Sequence, residues 1–390
     1  MAIPPIDACD LDPETAAQAA VEGALLGSYE FGKYKTKDRE DRRLDLVRIL
    51  VSAGQTEAAR TGAQRGEIIA QGVILARTIA EEPSAFMTPE RLMEQAEEVS
   101  RAHGLRFTGM HSQDLVEARM DGILSVGKGS IHPPTFTAME LNPDRTDLPC
   151  VVLIGKGITF DSGGLSLGSP ERMDEMKYDM SGGAVVIGIM EAASRLDLPI
   201  HLVGLIPAAE NMPSGTAMKP GEIVTISDGT TVEIKSSHAE GRLLLAEALL
   251  YANRYEPDAV IDLATLTGTC ARTFGRYISG LMGNDEALME RLESASAVTG
   301  ERIWRLPLDA EYSELNRSHI ADLKNCSDSK GGTLTAAAFL KEFVSYPWAH
   351  LDIDSVAWNA SGRSYYPSVG ATGFGVRLIT RLLTDWRDAA

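Results

Sequence analysis

The stretch that decides the fold is residues 150–164, which read CVVLIGKGITFDSGG. Its first six residues are apolar apart from a closing glycine, a pattern typical of a strand that is buried on both faces of a sheet. Lys156, Asp161 and further glycines follow directly. Glycine-rich turns after strands are common, so this stretch alone is also compatible with a tight turn in which Asp161 caps a helix and Lys156 faces solvent.

Further apolar strands alternate with helical patterns downstream of this stretch. The predicted strands cover 201–206, 259–263 and 350–353, and the predicted helices cover 182–195 and 240–253. Such alternation indicates βαβ units. It predicts an α/β fold with a mixed, mostly parallel central sheet and helices on both faces. Functional sites of such sheets form beyond the carboxyl ends of the strands, so the informative residues are expected directly after the apolar runs.

The first 90 residues carry a different pattern. We predict a helix over 13–27, a solvated loop over 33–43 and a short strand over 44–50. A long helix is predicted over 56–81. Thr88, followed by a proline, indicates the start of another helix.

Composition and charge exclude several classes of protein. The 390 residues contain 37 Lys and Arg against 55 Asp and Glu, a formal net charge of −18, which disfavours binding to nucleic-acid phosphates. The four cysteines are far apart and form no CxxC pair, which is typical of reduced thiols. No secretory signal is visible, and no apolar run approaches the ~20 residues that span a bilayer. We therefore expect a soluble cytoplasmic protein without nucleic-acid or membrane partners.

Five side chains at strand ends and helix starts form a candidate metal site: Lys156, Asp161, Asp179, His238 and Glu240. Each has an ordinary alternative, since Asp179 could be a simple N-cap and Glu240 a first-turn residue favoured by the helix dipole. Considered together, they favour two divalent cations, because shared carboxylates neutralise the charge and two adjacent cations can activate one water. A lysine ligates a metal only as the neutral amine, so the metals must lower its pKa from ~10.4.

Six sequence blocks then suggest a family. They run in order along the chain from about residue 65 to the end, and they resemble the signature blocks of the leucyl aminopeptidase family, of the cytosol aminopeptidase type. The blocks are KGITFDSGG at 156–164, MKYDM at 176–180, ENMPSG at 210–215, AEGRL at 239–243, ATLTG at 264–268 and GATGFGVR at 370–377.

The resemblance implies a dinuclear metal centre, with zinc as the first expectation and manganese or cobalt as alternatives. By position, four residues match family ligands: Lys156, Asp161, Asp179 and Glu240. His238 stands where the family has an aspartate ligand. Arg242 matches the arginine that holds a bicarbonate, which relays a proton from the bridging water. The substrate pocket is matched by Met176, Thr265, Leu266 and Gly268.

The implied activity is hydrolysis of the N-terminal residue of a peptide, or of a related aminoacyl amide, by a metal-bridging hydroxide. The implied assembly is a homo-hexamer.

Three departures from the family pattern bear on the implied activity and assembly. Gly168 stands where the family has a lysine that polarises the scissile carbonyl, and the loss of one such donor typically costs ~10²–10³ in rate. The N-terminal part is also short: we interpret residues 1–55 as the remnant of a larger N-terminal domain and residues 56–390 as the catalytic domain.

The third departure, His238, leaves two interpretations open. The imidazole removes one negative charge and favours Zn or Co over Mn or Mg, so it could be a retained ligand with altered selectivity. Alternatively, the site no longer holds its second metal. Two further hypotheses accompany the aminopeptidase: a pseudo-enzyme subunit, and a hydrolase retuned to a different small amide.

Overall fold

The computed structural model describes residues 2–3, 10–37, 44–327, 330–359, 366–367 and 369–386. The strands in this part of the chain are β1 (Ala2–Ile3), β2 (Arg48–Ile49), β3 (Arg106–Met110), β4 (Thr135–Leu141), β5 (Cys150–Gly155), β6 (Gly157–Asp161), β7 (His201–Asn211), β8 (Ile223–Thr225), β9 (Thr231–Glu233), β10 (Ala259–Ala264), β11 (Ser279–Gly283), β12 (Ile303–Arg305), β13 (Leu323–Lys324) and β14 (Trp348–Asp352).

The α-helices of the same residues are α1 (Pro13–Ser28), α2 (Thr56–Glu81), α3 (Pro89–His103), α4 (Ser112–Glu117), α5 (Asp121–Gly127), α6 (Ser181–Arg195), α7 (Gly241–Ala252), α8 (Gly268–Phe274), α9 (Glu286–Thr299), α10 (Ala310–Glu314), α11 (Gly332–Lys341) and α12 (Val376–Thr384).

A nine-stranded sheet forms the centre of the molecule. Its order is β12-β11-β14-β10-β5-β7-β4-β3, and β6 pairs with the carboxyl-terminal part of β7. Five of its eight strand pairings are parallel, and the antiparallel ones are β11–β14, β3–β4 and β4–β7. The predicted mixed, mostly parallel sheet is confirmed.

Helices cover both faces of this sheet, because successive side chains of a buried strand point to opposite sides. On β5, Val151 and Leu153 join a core formed with α2, α6 and α12, whereas Val152 and Ile154 join a second core formed with α5, α7 and α11. All four side chains are fully buried. The continuous apolar run at 150–154 is therefore explained by burial on both faces.

The predicted helices lie close to where the sequence places them, and two of them are capped by the residues that precede them. Asp12 accepts backbone N–H groups of α1, and Thr88 accepts that of Arg91 at the start of α3. The strand predicted over 44–50 is wrong except at Arg48–Ile49. Its Leu46 and Leu50 are more than half exposed, and Ile49 packs only against a small alanine cluster of α1 and α2. The predicted loop at 33–43 has neither helix nor strand over 33–37, and its remaining residues lie outside the described residues.

The strand predicted over 201–206 is also too short, since β7 continues to Asn211. The extension pairs with β6, a strand that the sequence did not reveal.

Two other predictions concern membrane spans and cysteines. No helix of the described residues is long and apolar enough to cross a membrane. Cys150 and Cys270 are buried free thiols, and Cys9 lies outside the described residues.

Candidate metal centre

The candidate ligands meet at the carboxyl ends of the central strands. Lys156 follows β5 and Asp161 ends β6, while Asp179 lies in the 3-10 turn before α6 and Glu240 directly precedes α7. The carboxylates of Asp161, Asp179 and Glu240 each offer an oxygen within 4.8 Å of the other two, and all three residues are buried. Three buried carboxylates this close repel one another unless cations lie between them.

Lys156 is the cation that lies against two of these carboxylates, Asp179 and Glu240. Its side chain is 3% exposed, and Nζ donates to Asp179 Oδ1 and to the Thr265 carbonyl, both at 2.9 Å, and lies 3.1 Å from Glu240 Oε1. Burial alone would lower the pKa of Lys156, but the charges of Asp179, Glu240 and Asp161 outweigh it and raise this pKa above its usual value. Gly241 leaves room for the lysine, because a Cβ there would lie 2.4 Å from Lys156 Cε.

One ammonium does not satisfy the cluster. Glu240 Oε2 is buried and has no hydrogen-bond partner among the described residues. Asp179 Oδ2 also has no hydrogen bond there, although it lies 2.8 Å from Lys156 Nζ and is thus compensated electrostatically. Burial raises the pKa of Asp179 well above its usual range against the opposing charge of Lys156. Buried anionic oxygens without donors are costly, so the donor set fits divalent cations.

Asp161 is held differently. Its Oδ1 accepts the Asn211 amide at 2.7 Å and the Gly163 N–H at 2.8 Å, and its Oδ2 lies 3.1 Å from His238 Nε2. Burial alone would raise the pKa of Asp161, but the hydrogen bond and charge of His238, with Lys156, lower it. Asn211 therefore orients a candidate ligand. Sequence reasoning did not single it out, since its partner lies 50 residues away.

His238 lies at the rim of the cluster. Its side chain is 43% exposed, and it is not part of the group whose ligand atoms all lie within 4.8 Å of one another. The hydrogen bond to Asp161 raises the pKa of His238 to about 9. A Cβ added at Gly168 would lie 3.1 Å from His238 Cε1, so the two unusual residues of the sequence are neighbours in space.

Arg242 lies in the first turn of α7 and is 6% exposed. Its Nε and Nη1 are buried without hydrogen-bond partners in the described part of the chain, and its guanidinium lies 5.9 Å from the centre of the Phe339 ring. Burial lowers the pKa of Arg242. A buried guanidinium with spare donors fits a small planar anion such as bicarbonate.

A cavity of about 560 Å³ opens beside the cluster. All the predicted ligands and all the predicted pocket residues line it, whereas Arg242 does not. The cavity also contains charged residues to which the sequence assigned no role, among them Arg172, Arg272, Arg276 and Asp354. They come from helix α8 and from loops beyond strand ends, where no local motif marks them.

Asp352, at the end of β14, fixes one wall of this cavity. It is fully buried, its Oδ2 accepts the Thr267 hydroxyl at 2.6 Å, and its Oδ1 accepts the N–H groups of Leu266 and Thr267 at 3.3 and 3.4 Å. Burial raises the pKa of Asp352 to about 6. The sequence placed a strand here but assigned no role to this carboxylate.

The model of the cytosol aminopeptidase family, catalytic domain, matches residues 74–380. The chain belongs to this family. It is accordingly a metal-dependent aminopeptidase, from a family that uses two divalent metal ions. The hypotheses of a pseudo-enzyme and of a retuned hydrolase are not favoured.

Curated relatives and solved structures agree with this assignment. The aminopeptidase is 46% identical over 380 residues to a probable cytosol aminopeptidase of Roseiflexus castenholzii, covering 97% of this chain and 78% of the relative. It is 46% identical over 385 residues to one of Chlorobaculum tepidum, covering 96% and 76%. The structure of the bottromycin maturation enzyme BotP is similar, with a TM-score of 0.86 and 37% identity over 96% of this chain and 79% of BotP. BotP in complex with Mn matches equally well, at 36% identity and a TM-score of 0.86 over 95% and 79%.

Proposed function

We propose that the enzyme removes N-terminal residues from peptides at a centre of two divalent cations. The proposed ligands are Lys156, Asp161, Asp179, His238 and Glu240. The observation that carries this proposal is the group of three buried carboxylates within 4.8 Å of one another, in which Glu240 Oε2 has no donor among the described residues. When bound, the cations supply an activated water and polarise the scissile carbonyl.

The ligands are proposed to divide between the two cations. Asp161, at the end of β6, and Glu240, before α7, would serve both, since each offers a carboxylate oxygen within 4.8 Å of the other. Lys156, as the neutral amine, and Asp179 belong to the tighter site. His238 belongs to the more exchangeable one, in keeping with its exposed position at the rim.

The chain's own residues are proposed to bind the peptide and to carry the proton. Thr265, Leu266 and Gly268 contact the peptide backbone, and Asp352 holds their loop in place through its hydrogen bonds. Met176 contacts the N-terminal side chain. Arg242 would hold a bicarbonate, which when bound would supply a base for the attacking water, and the two nitrogens of Arg242 that lack partners among the described residues support this role.

Zinc is the proposed metal, with manganese or cobalt as alternatives. Three carboxylates suit any of these ions, and the imidazole favours zinc or cobalt. BotP, a related enzyme, has been solved in complex with Mn, which is why manganese is kept as an alternative. A cytoplasmic location, a homo-hexamer, and a division into residues 1–55 and a catalytic domain of residues 56–390 are part of the same proposal. The family match at 74–380 lies within that catalytic domain.

The test is metal content together with turnover. The purified enzyme is stripped with a chelator and reloaded with Zn, Mn or Co. Mass spectrometry then counts the ions per chain, and hydrolysis of leucyl amide is followed. We expect two ions per chain and turnover that returns only on reloading. His238→Ala should keep at least one ion. Turnover by the metal-free enzyme, or a reloaded enzyme that contains no bound metal ion, would overturn the proposal.

A further inference from the structure

The cavity beside the metal cluster holds an acidic residue that is not needed for metal binding. Asp354 lies two residues beyond the end of β14, at the same edge of the sheet as the candidate ligands. It is half-buried and lines the cavity together with Met176, Leu266 and Glu240. A carboxylate in this place meets whatever side chain the bound peptide presents.

The carboxylate of Asp354 has spare hydrogen-bonding capacity. Its Oδ1 accepts the Tyr178 hydroxyl at 2.7 Å, and no other described residue donates to this carboxylate. Burial raises the pKa of Asp354, while the Tyr178 hydrogen bond and the charges of Lys156, Arg172 and Arg272 act to lower it. An ionised carboxylate accepts several hydrogen bonds, so one oxygen of Asp354 is available to a ligand.

The arginines of the same cavity are placed less favourably for a ligand. Arg172 donates to Glu175 at 2.7 Å, and Arg276 donates to the Asn359 carbonyl at 3.1 Å. Arg272 is exposed on α8. Of the acidic residues that line the cavity outside the proposed ligands, Asp354 is partly buried and Glu171 is exposed.

Apolar side chains share the cavity with Asp354. Met176, Leu266 and Ala271 are partly buried and line the same cavity. A cavity that combines apolar side chains with a carboxylate matches a side chain with an aliphatic stem and a cationic head. Lysine and arginine have this character, because they bury their methylene groups while the charge finds a polar partner.

We propose that Asp354 determines specificity and favours peptides whose N-terminal residue is lysine or arginine. This inference rests on the proposed function, since it takes the cavity to hold the N-terminal side chain. The inference specifies which N-terminal residues the enzyme prefers, and neither the proposed metal ligands nor Arg242 indicate this preference.

The experiment compares two substrates that differ in one group. Lysyl and norleucyl p-nitroanilides share the four-carbon stem, and only the lysyl substrate carries the terminal ammonium. On the metal-loaded enzyme we expect the ratio of kcat/KM, lysyl over norleucyl, to be about 10 or more. Asp354→Asn should lower this ratio about 10-fold or more, mainly through KM.

Glu171→Gln is the matched control. It removes the same charge from an exposed position on the same cavity, and the ratio should stay within about threefold of the original, as for an exposed charge. A ratio near one or below in the unmodified enzyme would overturn the inference, and this measurement needs no variant. An equal fall of the ratio in both variants would also overturn it, since the preference would then come from the overall negative charge around the cavity and not from Asp354.

Failure of the underlying function gives a different result. If neither substrate is cleaved by protein that holds two metals, the peptidase assignment fails and the inference fails with it. Cleavage of norleucyl substrate without any lysyl preference leaves the peptidase intact and rejects only the role of Asp354.

Discussion

Two buried glutamates on one helix show what separates a candidate ligand from a structural carboxylate. Glu240 directly precedes α7 and Glu247 lies inside it, and they are 2% and 0% exposed. Glu247 accepts the Gly122 N–H at 2.8 Å and the Ser227 N–H at 3.1 Å. Glu240 Oε2 has no hydrogen-bond donor among the described residues, and Oε1 lies 3.1 Å from the ammonium of Lys156.

The difference lies in what the fold supplies to each carboxylate. For Glu247 it supplies backbone donors from α5 and from the loop after β8, so this glutamate ties three elements together. For Glu240 it supplies two more carboxylates and a single ammonium, that of Lys156, so the charge of the cluster is fully compensated only when cations bind. Burial alone therefore does not identify a functional carboxylate. Burial without donors does, and the following predictions test this contrast.

The largest effect is expected for Glu240→Ala. Because this residue is proposed to serve both ions, the variant should bind neither tightly and should show no measurable turnover of leucyl amide. The metal-free variant should be at least as stable as the metal-free parent, since a repelling charge has gone. Mass spectrometry of bound metal and denaturant unfolding measure the two quantities. Retention of two ions by the variant would contradict the assignment of Glu240.

Glu247→Ala should behave in the opposite way. It leaves two backbone N–H groups without their acceptor, and the free energy of unfolding should fall by roughly 2–5 kcal/mol. The folded fraction should still bind two metals and hydrolyse leucyl amide at the parent rate per metal-loaded chain. Urea unfolding gives the stability. A loss of metal with unchanged stability would remove the contrast between the two glutamates.

The pH dependence of stability sharpens the same contrast. Burial raises the pKa of Glu247 to about 7, well above its value in the unfolded chain. Between these two pKa values the folded state binds the extra proton, so the contribution of Glu247 to stability is greatest at low pH. It falls by about 1.4 kcal/mol per pH unit as the pH rises toward 7. In Glu247→Gln this slope should be absent, which unfolding curves at pH 5, 6 and 7 would show. An unchanged slope would assign it to other groups.

The smallest effect concerns Gly168 and His238. A lysine at 168 would add a cation near the scissile carbonyl, but its Cβ would start 3.1 Å from the imidazole. We therefore expect Gly168→Lys alone to change kcat little, and Gly168→Lys combined with His238→Asp to raise it about 10-fold or more. Assays of the two single variants and the double variant on leucyl amide form a complete cycle. Additive effects would show that the two positions are independent.

The fold was predictable where local rules decide it. The helices at Pro13–Ser28 and Pro89–His103 follow from their capping residues, and β5 follows from its unbroken apolar run. The strand over 44–50 failed because alternation of apolar residues predicts a strand only where a core receives one face. The end of β7 and all of β6 were missed, because their pairing depends on partners about 50 residues apart.

The candidate ligands were predictable because each lies in a motif at a strand end or a helix start. The residues that support them were not. Asn211 orients Asp161 across 50 residues, and Asp352 holds Leu266 and Thr267 across more than 80. Asp354 acquires its meaning only from the cavity that it lines. These roles depend on tertiary contacts that no local pattern encodes.

The most direct test of the central claim is a crystal structure of the enzyme soaked in zinc, with anomalous scattering recorded at the zinc edge. The proposed centre predicts two peaks about 3–4 Å apart. Both should be in contact with Glu240 and Asp161, and Glu247 should keep its two backbone donors and touch neither ion. A single peak, or a Glu240 side chain that points away from any metal, would contradict the claim that a buried carboxylate without donors marks the metal centre.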